Sequence, residues 1–192
     1  MQQVEPLTAP PSQEVSDAFE SSTLPISSIA NGYTHTGIQH VGLHAKDLAA
    51  TAEFYRDLFG MQIVGGSTSE NEPLGATVFL SSRPGQESHE IALFAKEEYK
   101  HSAFKMSSLA DLQSFHRRCS ELELPIRVTA NHGVSFALYL EDPSGNLIEV
   151  YWPTGVELKQ PLMIPVDLTL TEKELMAKLD ELSASVPSES AS

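Results

Sequence analysis

Two histidines and one carboxylate carry the chemistry this chain can do. Glu149 is the single charge in an otherwise apolar run, Leu147-Ile148-Glu149-Val150-Tyr151-Trp152. Removing a carboxylate from water is costly unless it is paired or bound to a metal, so this position calls for a cation. His40 lies in Gly37-Ile38-Gln39-His40-Val41-Gly42-Leu43-His44, and His101 opens His101-Ser102-Ala103-Phe104-Lys105-Met106. Both runs read as strands. Two imidazoles and one carboxylate on three strands suit a divalent iron centre with open positions for a substrate and oxygen, and manganese accepts the same set. Side-chain alternation puts His40 with Gly42, His101 with Ala103, and Glu149 with Leu147 and Tyr151 on common faces. Small Gly42 and Ala103 beside the histidines are expected to leave room for a flat substrate.

The elements that position these residues recur. Gly37–His44 reads as a strand, and Asp47 caps a helix whose buried stripe is Leu48, Ala52, Tyr55, Leu58 and Phe59. Gly60 ends that helix as a left-handed cap would. Strands are expected at about 61–64, 76–81 and 89–94. The order then returns. A strand over 101–106 leads to a helix opened by Ser108 and lined by Leu109, Leu112, Phe115, Cys119 and Leu122. Leu124-Pro125 stops it. Strands follow at about 126–129, 135–141 and 147–152. The last two flank Asp142-Pro143-Ser144-Gly145-Asn146, a hairpin turn in which each residue type has a conformational reason. Two such units predict an α+β fold: tandem βαβββ modules, about 36–96 and 100–155, pairing into a mixed, curved sheet around a metal site with the helices outside. Exposed sheet edges argue for a homo-oligomer, a dimer in the simplest case.

The ends read differently. Residues 1–35 hold no Lys or Arg and are rich in Ser, Pro and Glu, so a disordered or draped tail is expected there. Residues 156–192 read as a C-terminal tail with a short helix over 171–182, Thr171 and Glu174 forming its capping box. With 192 residues the chain has the length of one domain plus tails. Its formal charge of −14 argues against a nucleic-acid or anionic-membrane binder. No run is long and apolar enough to span a membrane, and no basic n-region precedes an apolar stretch. The lone Cys119 excludes an intrachain disulfide and fits a reducing, cytoplasmic setting, with the thiol as buried filler.

On these residues the chain resembles the vicinal oxygen chelate superfamily, which also contains glyoxalases and bleomycin-resistance proteins. Within it the chain is most similar to single-domain extradiol dioxygenases of the catechol 2,3-dioxygenase type. The matching motifs are Ile38-Gln39-His40-Val41-Gly42-Leu43, Phe54-Tyr55-Arg56-Asp57-Leu58-Phe59-Gly60 and His101-Ser102-Ala103-Phe104. The strongest is His132-Gly133-Val134-Ser135 running into Tyr139-Leu140-Glu141-Asp142-Pro143-Ser144-Gly145-Asn146 and Ile148-Glu149. The resemblance spans about residues 36–155.

It implies that His40, His101 and Glu149 are the metal ligands. It also implies an acid–base set of His89, His132 and Tyr139 around the substrate. In the first module the counterpart of Glu149 is Ala92, whereas glyoxalase-type isomerases use carboxylates from both modules. A two-residue slip would bring in Glu90, and it keeps the same strand face. The implied function is an Fe(II)-dependent extradiol ring-cleaving dioxygenase that uses O2 on catechol-like vicinal diols, in the catabolism of aromatic compounds. The alternatives are a metal-dependent isomerase or lyase of the glyoxalase type, and a metal-free binder of aromatic compounds. The intact ligand triad counts against the last.

Overall fold

A computed structural model describes residues 32–71, 74–86 and 88–185. The expected N-terminal tail lies outside the described residues up to Asn31, as do residues 186–192. His35, counted with the tail in the sequence, starts the first strand. The strands are β1 (His35–His44), β2 (Gln62–Ser67), β3 (Thr77–Ser81), β4 (Ile91–Phe94), β5 (His101–Met106), β6 (Ile126–Asn131), β7 (Ser135–Glu141), β8 (Leu147–Pro153) and β9 (Ile164–Pro165). The helices are α1 (Leu48–Phe59), α2 (Leu109–Glu121) and α3 (Glu172–Ser185). No helix among the described residues is long and apolar enough to cross a membrane.

All nine strands form one mixed sheet in the order β2-β3-β4-β1-β5-β8-β7-β6-β9. Read outward from the centre, each half has the same connectivity: β1-β4-β3-β2 on one side and β5-β8-β7-β6 on the other. The expected repeat is therefore the symmetry of the fold. The two halves join through the antiparallel β1–β5 pair, and within each half the first and last strands run parallel.

Alternation sorts the strands' two faces. On one face Leu80 and Leu93 pack with Ala52 of α1, while Leu138, Leu140 and Val150 pack with Leu109, Leu112 and Cys119 of α2. Phe79, Ala92, Ala103, Ala137, Tyr139, Glu149 and Tyr151 take the opposite parity. The helix starts follow their capping chemistry. Asp47 accepts from the Ala50 amide at 3.0 Å, and Ser108 accepts from the Asp111 amide at 3.0 Å. Gly60, at φ 67°, closes α1 with its amide on the Arg56 carbonyl. Leu58 and Phe59 do not complete the stripe expected of α1, and Leu122 does not complete that of α2. They are 64, 61 and 46% exposed. In the last turn of α1 the exposed Phe59 ring lies against its own helix, 5.8 Å from Tyr55 and 6.0 Å from Phe54.

The C-terminal segment belongs to the second half of the fold. Leu168, Leu175 and Leu179 are fully buried in the same core cluster as α2, β7 and β8. The Gln113 amide of α2 bonds the Leu168 and Leu170 carbonyls at 3.0 and 2.7 Å. The capping box at Thr171 forms, with the Thr171 amide on Glu174 Oε2 at 2.9 Å. A short strand that no sequence signal marks, β9, extends the sheet beyond β6 through Ala130–Pro165 and Asn131–Ile164. Leu175→Ala should therefore cost about 2–4 kcal/mol of global stability, the range for emptying a packed leucine site. Urea unfolding followed by circular dichroism measures it. A change below about 0.5 kcal/mol would mean that α3 is not part of the cooperative unit.

Candidate metal centre

The strand register assembles the triad. At the β1–β5 junction His40 faces Ala103 and Gly42 faces His101. On the other side of β5, Ala103 is in register with Glu149 of β8. His40 Nε2 lies 3.0 Å from Glu149 Oε2 and 3.1 Å from His101 Nε2. The third edge, His101 Nε2 to Glu149 Oε2, is 3.3 Å. A divalent ion bonded to nitrogen and oxygen donors at about 2.0–2.2 Å has neighbouring ligand atoms roughly 3.0–3.5 Å apart, so this triangle is of the size that three ligands of one ion require. Among the described residues these three form the group of His, Cys, Asp and Glu side chains placed to hold a metal ion. The donor chemistry fits as well. His101 Nδ1 donates to the Tyr99 carbonyl at 2.7 Å, which leaves the Nε2 lone pair aimed at the centre.

Burial gives the cluster its electrostatics. The His40, His101 and Glu149 side chains are 5, 7 and 6% exposed. Burial alone pushes Glu149 up, but His40 and His101 outweigh it and hold the carboxylate well below its usual range. Burial likewise lowers His101, yet Glu149 and the Tyr99 carbonyl raise it on balance. A buried carboxylate thus draws positive charge to this point.

The two small residues beside the histidines serve a different purpose from the one expected. A Cβ on Gly42 would lie 2.4 Å from His101 Nδ1 and 2.9 Å from the Tyr99 carbonyl. Gly42 makes room for the imidazole across the strand junction, together with its hydrogen bond, and not for a substrate. Ala103 is fully buried against Ala137 and Tyr151.

The symmetry of the halves also fixes what stands opposite Glu149. Two residues beyond His40, Gly42 is in register with Ala92; two beyond His101, Ala103 is in register with Glu149. Ala92 is therefore the counterpart, and no slip brings in Glu90. The Glu90 carboxylate accepts from the Ser82 amide at 2.6 Å and from Arg83 Nη2 at 2.9 Å. The Ser82 hydroxyl and amide, with Arg83, hold it down to about 2 against the opposing effect of burial.

The three acid–base candidates surround the triad. Tyr139 is the register partner of Glu149 across β7–β8. Its hydroxyl lies 2.9 Å from His132 Nε2, and His132 Nδ1 donates to the Leu162 carbonyl. That donation leaves His132 Nε2 to accept the phenol proton. Burial and the neighbouring Glu149 raise Tyr139 well above its usual range, so the phenol stays protonated. His89 stands just ahead of β4, not within the expected strand. Its ring stacks on Phe79 at 4.8 Å and tilts against His40 at 4.3 Å. Burial, with His40 next, pushes its protonation well below the usual range.

The model of the Glyoxalase/Bleomycin resistance protein/Dioxygenase superfamily matches residues 37–150. The chain belongs to this superfamily. A curated relative, biphenyl-2,3-diol 1,2-dioxygenase 3 of Rhodococcus globerulus, is 30% identical over 125 residues, 59% of this chain and 61% of the relative. The chain thus aligns with less than two thirds of that protein's length. Solved structures share the fold, and two illustrate it. One is 2,2',3-trihydroxybiphenyl 1,2-dioxygenase from Sphingomonas wittichii strain RW1, with a TM-score of 0.57, 18% identity, and coverage of 68% of this chain and 50% of that one. The other is the Mn(II)-bound glyoxalase from Novosphingobium aromaticivorans, with a TM-score of 0.53, 20% identity, and coverage of 68 and 43%.

In this superfamily member the metal-side cavity has walls that the sequence did not reveal. Gln160, Pro161 and Leu162 line it from the segment between β8 and β9. Gln160 Nε2 donates to the His132 carbonyl at 2.8 Å, and Leu158 packs where a Cβ on Gly133 would stand. This strap has no hydrophobic period, and its local signals are Gly155 and Pro161.

Two outcomes test this geometry. Gly42→Ala should displace His101 and weaken metal binding at least tenfold, the scale of a disturbed ligand-orienting contact, with the circular dichroism spectrum retained. Titration of a divalent metal into the apoprotein reads it. Glu90→Gln should leave metal content unchanged and cost about 1 kcal/mol at pH 7, since water screens part of the cluster. Glu90 is depressed in the folded state, so its contribution is present above its unfolded pKa and fades as pH falls toward about 2. Wild type and variant should converge there; a constant gap across acid unfolding curves would contradict this.

Proposed function

We propose that this protein is an Fe(II)-dependent extradiol ring-cleaving dioxygenase acting on catechol-like vicinal diols with O2. The observation that carries the reading is the single-carboxylate triad: His40, His101 and Glu149 placed to hold one metal ion, with Ala92 where a second module carboxylate would stand. These three side chains would hold the metal and would leave its remaining positions free for exogenous ligands. A fourth protein ligand of the kind used by glyoxalase-type isomerases has no donor at Ala92. The diol named in the Rhodococcus relative supports the same class of substrate.

Bound iron would supply a Lewis acid for the diol oxygens and one-electron chemistry with O2. The chain's own residues handle protons and position. Tyr139 presents its oxygen beside Glu149, and its proton is hydrogen-bonded to His132 Nε2. A proton leaving a diol hydroxyl can pass to Tyr139 as Tyr139 passes its own to His132. The Leu162 carbonyl keeps His132 in the tautomer that accepts it. His89, held between Phe79 and His40, stands on the other flank as a second acceptor. Phe79, Ala92 and Phe94 give the cavity an apolar wall against a flat ring.

The decisive experiment is metal analysis of protein purified without oxygen, followed by oxygen uptake with catechol and substituted catechols. About one iron per chain, oxygen consumption and a yellow ring-fission product are expected. Metal without oxygen uptake on any diol would sink the dioxygenase reading. Glu149→Ala should lose the metal outright. Tyr139→Phe should keep it and lower kcat by about 10²-fold, the low end for removing a proton-transfer group.

A further inference from the structure

Helix α1 carries more apolar surface than the sheet beneath it uses. At about 100° of turn per residue, Leu48, Ala52 and Tyr55 form the stripe on the sheet, while Phe54 and Leu58 stand about 100° to one side of it. Phe54, Leu58 and Phe59 are each more than half exposed, as is Ile63 on the helix side of the edge strand β2. The Phe54 and Phe59 rings lie 6.0 Å apart, so the patch is continuous round the end of the helix.

The second half of the fold shows how such a flank is covered. Counted from the caps Asp47 and Ser108, Phe54 and Leu58 correspond to Phe115 and Cys119 of α2. The Phe115 ring meets Tyr33 at 5.3 Å, Cys119 is buried, and both belong to the cluster that Leu168, Leu175 and Leu179 complete. Among the described residues, α1 has no counterpart of that C-terminal segment.

We propose that a second copy of this chain covers the flank, α1 against α1 about a two-fold axis. The row is self-complementary: Phe54 and Leu58 form an i, i+4 ridge, and two such ridges interlock in the commonest class of helix packing. The row is also uncharged. Ala50, Thr51, Phe54 and Leu58 carry no ionisable group, although the chain has a net charge of −14, and Arg56 is paired with Asp57 at 2.7 Å. Two copies meet there without like charges in contact, and an oppositely charged partner has nothing to recognise. The size fits as well. A phenylalanine buries roughly 150–250 Å² when fully covered, so the four exposed side chains together offer roughly 400 Å². A stable contact buries about 800 Å² per partner, a little over half of it apolar.

Sedimentation of the full chain over a range of concentrations tests this contact. A dimer at micromolar concentration is expected. Leu58→Glu and Phe54→Glu should each weaken it at least 100-fold, because the two-fold axis brings in the change twice, with the circular dichroism spectrum retained. Leu124→Glu, at an exposed apolar site just beyond α2, should shift the equilibrium less than threefold. A dimer that ignores both α1 variants, or one that Leu124→Glu breaks equally, would overturn the proposal, as would open-ended growth with concentration. A monomer at every concentration would overturn it too. In that case a melting temperature lowered by Leu58→Glu would assign the flank to cover from within the chain, and an unchanged one would leave it to a different protein.

Discussion

A carboxylate buried between two imidazoles is the constraint around which the sheet is arranged. Glu149 sits in an apolar strand, where an unpaired charge would be untenable, and its partners come from 48 and 109 residues away in the chain. Holding three donor atoms within about 3 Å of one another demands a fixed register at two strand junctions at once. The β1–β5 pair sets one histidine against the other, and the β5–β8 pair sets the carboxylate. A slip of one residue at either junction would turn a ligand to the helix side of the sheet.

The same junction explains why the residues around the triad are small. Gly42 and Ala103 stand across the strands from His101 and His40. Each histidine is thus accommodated by the backbone of the other half, and the close approach at Gly42 leaves no space for a Cβ. The second half adds further apparatus. Tyr139 and His132 come from β7 and the turn before it, and the strap from Leu158 to Met163 fastens His132 in place. Neither the strap nor α3 has a counterpart in the first half among the described residues.

Much of this was legible in the sequence because it rests on local rules. The βαβββ repeat shows in two capped helices, two Gly- or Pro-marked stops and strands at similar offsets. Glu149 announces itself as a charge in an apolar run, and the turn at Asp142–Asn146 places it. What was not legible depends on long-range placement. The role of Gly42 follows from a cross-strand partner 59 residues away. Leu58 and Phe59 have the right helical spacing but lie where no strand covers them. The strap has no period to read, because its hydrogen bonds go to carbonyls and side chains of distant turns. Glu90 is on the expected strand parity, yet Ser82 and Arg83 claim its carboxylate first.

The division of the triad between the halves makes the candidate metal site a joint between them. His101 and Glu149 lie on adjacent strands of the second half, and that half forms its own core with α2 and α3. Two of the three donors thus belong to one half of the sheet. His40 comes from the other half, across the β1–β5 junction. An ion held by all three would therefore rivet the two halves together at the seam where they share hydrogen bonds.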